Sequence, residues 1–152
     1  MRSARQRSRI EFFQGYNMCK GNISVRFRHP SMDLTFLSTL LNLSCLRKWI
    51  AGTPRQTPTG EPLSGTYPVS YWVSRGFEFS CESGFGKQLA LAINHLAKVN
   101  ESLSDFKVSG GTIEIYLQLP GSKNNGDTID STLLKKMVDL GVDLLIEVFP
   151  GM

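Results

Sequence analysis

The chain lacks the features that mark a membrane span or a secretory signal. No apolar run approaches the roughly 18–20 residues that a helix needs to cross a bilayer, and no apolar segment follows the basic residues near the N-terminus, as a signal peptide requires. Of the 152 residues, 41% are hydrophobic and 20% are charged. This composition is typical of a soluble globular domain, so we expect a protein with no membrane partner.

Cysteine and histidine are scarce. The three cysteines, Cys19, Cys45 and Cys81, are far apart and form no C-x-x-C pair. An odd, scattered set favours reduced thiols and a cytoplasmic location over a disulfide framework. The two histidines, His29 and His95, have no metal-ligand spacing, so the sequence predicts neither a metal site nor a cofactor.

Motifs of catalysis and nucleotide binding are also absent. The chain has no G-x-S-x-G, H-E-x-x-H, P-loop or dinucleotide fingerprint. Residues 83–87 resemble part of a phosphate loop but lack its first glycine and the Ser or Thr after the lysine. We therefore predict no catalytic residue and lean against an enzyme.

Positive charge is concentrated at the N-terminus. The chain carries a net charge of +4, and without the four arginines and one glutamate of residues 1–17 the remainder is about +1. We predict a basic, disordered tail over residues 1–21 and a single α+β domain over residues 22–152. One interpretation is that Met18 is the true start or that the tail is inert, and the other is that the tail is an arm that binds nucleic-acid phosphates.

Two segments repeat each other. Residues 33–43 align without a gap onto residues 130–140, and both begin with aspartate. Each follows an alternating, strand-like run, at 23–28 and at 113–118, and each precedes another extended stretch. The pattern predicts duplicated β-α-β units in an α+β two-layer sandwich of ferredoxin-like flavour, with the helices packed on one face of a mixed or antiparallel sheet.

The remaining elements are predicted from periodicity and breakers. Residues 52–66 contain three prolines and three glycines and are predicted to form no regular element. Arg75-Gly76 is interpreted as the turn between two strands, the alternative being one long strand bent at Gly76. The other predicted elements are a helix from Met32 or Asp33 to Asn42, an extended stretch at 46–50, strands at 69–74 and 77–81, a helix at 86–99, a strand at 112–119, a helix at 129–140 closed by Gly141, and a last strand at 142–149. The apolar run at 144–149 predicts that this last strand is buried on both faces apart from Glu147.

The candidate binding site lies between Arg47 and Trp72, where both tryptophans accompany basic residues. Its members are Arg47, Trp49, Gly52, Arg55, Tyr71 and Trp72. Indole and guanidinium groups are frequent at interaction hot spots, so one interpretation is a groove that holds a partner. The other is that both tryptophans pack on neighbouring strands and anchor the loop. An enzyme or binder of an anionic small molecule at Arg47, Trp49 and Arg55 is a further alternative.

The same segment carries a family resemblance. An Asp-initiated, Leu-rich helix, a basic-Trp-x-x-Gly turn, a polar Gly/Pro loop and a Tyr-Trp strand resemble the small bacterial family called domain of unknown function 4279. The matching positions are Asp33, Leu40, Leu41, Trp49, Gly52, Gly60 and Trp72. The resemblance covers Asn22 to the C-terminus, although the loop is longer and richer in proline and the arginine tail lies outside it.

The resemblance implies a bacterial, cytosolic α+β protein with no established activity. Small proteins of this kind look like immunity or accessory proteins, which act by binding. We therefore expect a non-enzymatic module with a protein partner and a possible homodimer through an exposed sheet edge.

Overall fold

The computed structural model describes residues 19–122 and 124–150, which form four helices and eight strands. Residues 1–18 of the predicted tail, with Met18, lie outside the described residues. Lys20 and Gly21, which were also assigned to the tail, instead begin the first strand. No helix within the described ranges is long and apolar enough to span a membrane. The strands are β1 Lys20–His29, β2 Cys45–Trp49, β3 Pro54–Gln56, β4 Pro62–Thr66, β5 Ser70–Ser74, β6 Phe77–Ser80, β7 Thr112–Pro120 and β8 Asp143–Phe149. The helices are α1 Leu37–Leu41, α2 Gly86–Ala97, α3 Asn100–Val108 and α4 Ser131–Leu140.

The main sheet is mixed and has the strand order β2-β5-β1-β7-β8, with β6 also paired to β1. The β1 strand is antiparallel to β5, β6 and β7, whereas β7 and β8 are parallel. Apolar side chains of all four helices join one buried cluster with one face of this sheet. The predicted α+β class, with helices packed on a mixed sheet, is therefore confirmed.

Alternation along the central strand creates that cluster. Ile23, Val25 and Phe27 of β1 have no exposed surface, and β7 repeats the pattern with Ile113 and Ile115 opposite them. Successive side chains of a strand point to opposite faces, so the residues between them lie on the other face. The helices supply the second half of the cluster, mostly through α2, which contacts both β1 and β6.

The two β-α-β segments are not equivalent. Both β1 and β2 are antiparallel to β5, so they are parallel to each other with β5 between them, which is a split β-α-β arrangement. By contrast, β7 and β8 are direct neighbours. The helix α4 has ten residues and is capped by Asp130, which accepts the Leu133 N–H. The predicted duplication is therefore not confirmed.

The predicted helix from 32 or 33 to 42 is too long by about a turn. The helix α1 has five residues and ends at Asn42 in the left-handed conformation. The Asp33 side chain accepts the N–H of Thr35, two residues ahead. This local turn competes with helix formation, so the helix starts only at Leu37.

The strands β5 and β6 are one interrupted strand, so the predicted turn at Arg75-Gly76 is wrong and the alternative of a bend at Gly76 is right. Both pair with β1 along the same edge, in registers that differ by one residue. At the interruption the Val25 N–H bonds the Ser74 side-chain oxygen at 2.9 Å instead of a backbone carbonyl. A Cβ on Gly76 would lie 1.5 Å from Asn22 Oδ1, so the bend needs glycine.

Residues 52–66 are not irregular, as was predicted, because they contain a two-stranded ribbon. The antiparallel strands β3 and β4 pair Pro54 with Thr66 and Gln56 with Pro62. Gly60 adopts a positive φ of 90° in the turn between them. Proline is tolerated here because each strand of a two-stranded ribbon is an edge strand, where some N–H groups need no partner.

The end of the chain also departs from prediction. The helix α3 was missed because its low apolar content, with only Leu103 and Phe106 buried, gives little periodic signal. The β8 strand was predicted to be buried on both faces, but Ile146 is 49% and Val148 57% exposed. The reason is that β8 is the last strand of the sheet.

The cysteine interpretation is wrong for two of the three residues. Cys19 and Cys81 form a disulfide with a Cα–Cα distance of 5.5 Å, and Cys45 is free. The two residues are far apart in sequence but face each other across β1 and β6, extending the register of Lys20 opposite Ser80. The Asn125 side-chain amide donates to Cys81 Sγ at 3.2 Å and to the Pro120 carbonyl at 3.0 Å. Because two of the three cysteines are paired, the cysteine pattern no longer favours reduced thiols in a reducing compartment.

Reduction of this disulfide should destabilise the protein. The bridge spans 62 positions, and constraining an unfolded chain of that length contributes about 2–4 kcal/mol. We expect Cys19→Ser with Cys81→Ser to lower the free energy of unfolding by this amount in denaturant titrations. Cys45→Ser is the matched control and should change it little. Identical unfolding curves for the oxidised protein and the double variant would contradict the bridge.

Candidate functional site

The face of the sheet opposite the helices carries a polar and aromatic layer. It is built by Arg26 and Arg28 of β1 and by Glu114 and Tyr116 of β7, which alternate with the core residues of the same strands. Glu114 lies opposite Arg26 in the register and forms an ion pair with it at 3.3 Å. A second ion pair joins Glu114 to Arg28 at 3.9 Å.

Tyr116 is enclosed within this layer. The Arg26 guanidinium lies 3.4 Å from the centre of its ring, a cation–π contact, and its hydroxyl donates to Glu147 of β8. Burial, followed by this hydrogen bond to Glu147, raises the pKa of Tyr116. The Arg26 Nε–H is buried and has no hydrogen-bond partner within residues 19–122 and 124–150. Tyr116 is therefore a packed hydroxyl donor that organises this part of the layer.

Beside this layer lies a stack of three aromatic rings. Trp49 stacks on Tyr71 with centroids 4.4 Å apart and on Tyr67 with centroids 4.9 Å apart. Trp49 and Tyr71 meet because they are register partners on β2 and β5. Tyr67 is fixed by the ribbon, since its hydroxyl bonds both the N–H and the carbonyl of Gln56.

Two arginines flank the stack. The Arg28 guanidinium lies 5.5 Å from the Tyr71 ring centre, and Arg47 is an exposed residue of β2 on the same face. Burial raises the pKa of the Tyr71 hydroxyl, while the charges of Arg26 and Arg28 oppose that rise. We call Arg28, Arg47, Trp49, Tyr67 and Tyr71 the Trp49 surface.

The structure brings together only some of the six residues predicted for the binding site. Arg47, Trp49 and Tyr71 lie on the Trp49 surface, as given above. Arg55 is exposed on β3, and Gly52 adopts a positive φ of 80° at the base of the ribbon. Arg28 and Tyr67 were missed by the sequence argument, although alternation with Phe27 could have indicated Arg28.

Trp72 belongs to the core. It has no exposed surface, packs edge-on against Phe27 at 5.8 Å and donates its indole N–H to Ser38 Oγ at 3.2 Å. It follows Tyr71 directly on β5, and neighbouring residues of a strand point to opposite faces. A partner that contacts Trp49 therefore cannot contact Trp72.

The remaining reactive residue types have structural roles. His29 is buried, accepts the N–H groups of Ser31 and Met32 at Nδ1, and donates from Nε2 to the Ser109 carbonyl. His95 Nδ1 bonds the Leu41 carbonyl. Burial raises the pKa of the free Cys45 thiol, which disfavours the nucleophilic thiolate.

Residues 83–87 do not offer a phosphate site. The Gly86 N–H donates to Asp127 Oδ2 at 2.7 Å, so a carboxylate already occupies the start of α2. This bond and one from the Thr128 N–H lower the pKa of Asp127. A shallow groove of about 400 Å³ borders the same carboxylate. Across the described ranges, no three His, Cys, Asp or Glu side chains lie close enough to hold a metal ion.

Charge is asymmetric around the Trp49 surface. The sequence has no Asp or Glu from Leu34 to Gly60, a stretch that contains Arg47, Lys48 and Arg55. Arg28 adds a further positive charge, shared with Glu114. The face beside β2 is therefore basic, which suits an acidic partner.

The two tryptophans should respond differently to truncation. Trp72→Ala leaves a large buried void and should cost about 3–5 kcal/mol in free energy of unfolding. Trp49→Ala removes two ring contacts at the surface, each worth about 0.5–1.5 kcal/mol, and should leave a folded protein. Urea titration followed by circular dichroism checks both variants. An equal or larger loss for Trp49→Ala would show that its stack is part of the core.

No family model, curated protein or solved structure matches this chain.

Proposed function

We propose that this protein is a non-enzymatic binding module that captures an acidic protein partner on the Trp49 surface. The observation that carries the proposal is the joining of an aromatic stack to Arg28 and Arg47 on a sheet face that no described helix or strand covers. Stacked rings lose little side-chain entropy on binding, and Trp, Tyr and Arg are the residue types enriched at hot spots. Arg55 on the adjacent ribbon extends the basic surface.

A protein partner fits this surface better than a nucleic acid does. Base stacking needs an accessible ring face, but Trp49 already stacks on two rings, Arg28 lies over the Tyr71 ring and Arg26 lies over the Tyr116 ring. The flanking guanidinium groups suit carboxylates. The predicted nucleic-acid arm lies outside the described residues.

The resemblance to domain of unknown function 4279 supports the same proposal. It implies a small bacterial protein of immunity or accessory type, whose role is to bind. We include a cytoplasmic location in the proposal because it belongs to that resemblance. The Cys19–Cys81 disulfide argues against this location, since cytoplasmic disulfides are rare, so the count of free thiols in protein isolated under alkylation is its direct check.

Charge reversal at the basic surface should abolish partner capture. We expect Arg47→Glu with Arg55→Glu to lower the amount of bound protein at least tenfold, because it places like charges against an acidic partner. Quantitative affinity capture from a bacterial lysate measures this, followed by titration of the purified partner. Lys136→Glu on α4, exposed and distant in the fold, is the control and should bind normally. Equal capture by both variants would refute the proposal.

We also propose that two copies pair through β8. This strand forms an unbroken seven-residue ladder with β7 and exposes Leu145, Ile146 and Val148, and it lacks the proline, lysine and bulges that protect sheet edges. Antiparallel pairing centred on Ile146 would place Asp143 opposite Phe149 and Leu145 opposite Glu147, so no like charges would face each other. A second copy therefore fits this edge.

Substitution at the centre of β8 should abolish such a dimer. Ile146→Lys would place two positive charges opposite each other across the two-fold axis, and we expect it to be monomeric in sedimentation velocity. Val108→Lys, at an 89% exposed position on α3, removes an exposed apolar side chain elsewhere and should leave the dimer intact. A native protein that sediments as a monomer at a concentration on the order of 100 μM would contradict the pairing.

A further inference from the structure

We propose that the partner binds by strand addition, presenting an acidic, extended segment that pairs with the outer edge of β2. This inference rests on the proposed function and specifies how the partner is held. Strand addition derives affinity from backbone hydrogen bonds and specificity from flanking side chains. The proposal requires an unpaired edge, backbone groups directed outward and a charge pattern that selects the added strand.

The unpaired edge is present. The β2 strand is the last strand of the main sheet on its side, and its one strand partner among the described residues is β5. The adjoining ribbon of β3 and β4 forms a separate two-stranded sheet and pairs only within itself there.

The direction of the backbone groups follows from the register. The Arg75 N–H donates to the Ser44 carbonyl at 2.7 Å, so the backbone groups of Arg75 point towards β2. Backbone groups alternate in direction along an antiparallel strand, so Val73 and Tyr71 are also directed towards β2, where they pair with Arg47 and Trp49. Lys48 lies between these two residues, and its N–H and C=O therefore point away from the sheet.

A second contact supports this assignment. The Ala51 N–H donates to Ser70 Oγ on β5 at 2.9 Å. Because these directions alternate, the backbone N–H and C=O groups of Trp49 and Arg47, two and four residues before Ala51, also point towards β5. The groups of Lys48, which lies between them, again point outward. Among the described residues nothing else pairs with these groups, so an added strand would meet a donor and an acceptor at this position.

The charges select an acidic strand. Arg47 and Lys48 are both exposed and, as neighbours on a strand, project to opposite faces of the sheet. An added strand would therefore meet a positive charge on each side, with no acid in the sequence from Leu34 to Gly60. Charged edges discourage self-pairing between copies, whereas two adjacent carboxylates on a partner strand, one on each face, would compensate both charges.

The acidic β8 edge provides a contrast within the same sheet. It carries Asp143 and Glu147 and is otherwise apolar, so an acidic segment would be repelled there. The edges at β2 and β8 therefore suit different occupants, and of these two the acidic segment fits β2.

The test uses a blocked hexapeptide with two adjacent Glu residues between Val residues as the probe, so that one carboxylate lies on each face, and the matching Lys peptide as the charge control. Binding is followed by the nuclear magnetic resonance shift of the Trp49 indole N–H and by hydrogen exchange of the Lys48 amide. We expect the acidic peptide to shift the indole signal and to slow exchange at Lys48, and we expect the basic peptide to do neither. Binding of both peptides, or unchanged exchange at Lys48, would overturn strand addition.

A matched pair of variants separates backbone pairing from charge. Lys48→Pro removes the outward N–H, which β5 does not use, and proline is tolerated on edge strands. Lys48→Ala removes only the charge. We expect Lys48→Pro to weaken binding of the acidic peptide at least tenfold in Kd. Lys48→Ala should weaken it about threefold, as for the loss of an exposed ion pair. Thermal unfolding of both variants verifies that each is folded.

The outcomes distinguish this inference from the proposed function. If Lys48→Pro binds the acidic peptide as tightly as Lys48→Ala while Arg47→Glu loses it, strand addition is wrong and the Trp49 surface stands. If Arg47→Glu and Lys48→Pro both bind as the native protein does, the binding surface itself is wrong.

Discussion

The structure depends on the alternation of side chains along β1. This strand is paired on both edges, to β7 on one side and to β5 and β6 on the other. Ile23, Val25 and Phe27, at odd-numbered positions, are completely buried under the helices. Arg26 and Arg28, at even-numbered positions, lie on the opposite face. A shift of one residue in its register would exchange the two sets. The same constraint therefore builds the core and positions the basic layer.

The bent strand β5–β6 transmits this constraint to the candidate site. Its pairing with β1 places Trp72 against Phe27 in the core and Tyr71 on the open face. The next pairing, to β2, then brings Trp49 onto Tyr71. The ribbon adds the third ring through Tyr67. The aromatic stack thus results from two strand registers and one loop anchor, and none of its three members is adjacent in sequence to another.

The sequence was most informative where periodicity was strong. The alternation of β1 and β7, the apolar stripe of α2, and Asp130 with Gly141 at the ends of α4 all predicted elements that the structure contains. The sequence was misleading where the meaning of a local pattern depends on which distant strand pairs with it. Proline and glycine concealed the ribbon, Arg75-Gly76 resembled a turn, and the apolar run of β8 resembled a buried strand. The candidate site was partly predictable, because Arg47 and Trp49 are distinctive, but the pairing partner of each was not.

The sequence by itself determined which residues form strands and helices in the regular parts of the chain, since side-chain periodicity is a local property. It also determined the local concentration of positive charge between Leu34 and Gly60. Only the tertiary structure decided that Trp72 is core while Trp49 is surface, that Cys19 meets Cys81, and that β2 and β8 lie at opposite ends of the strand order. Those outcomes depend on strand order and register, which are set by contacts between residues far apart in the chain.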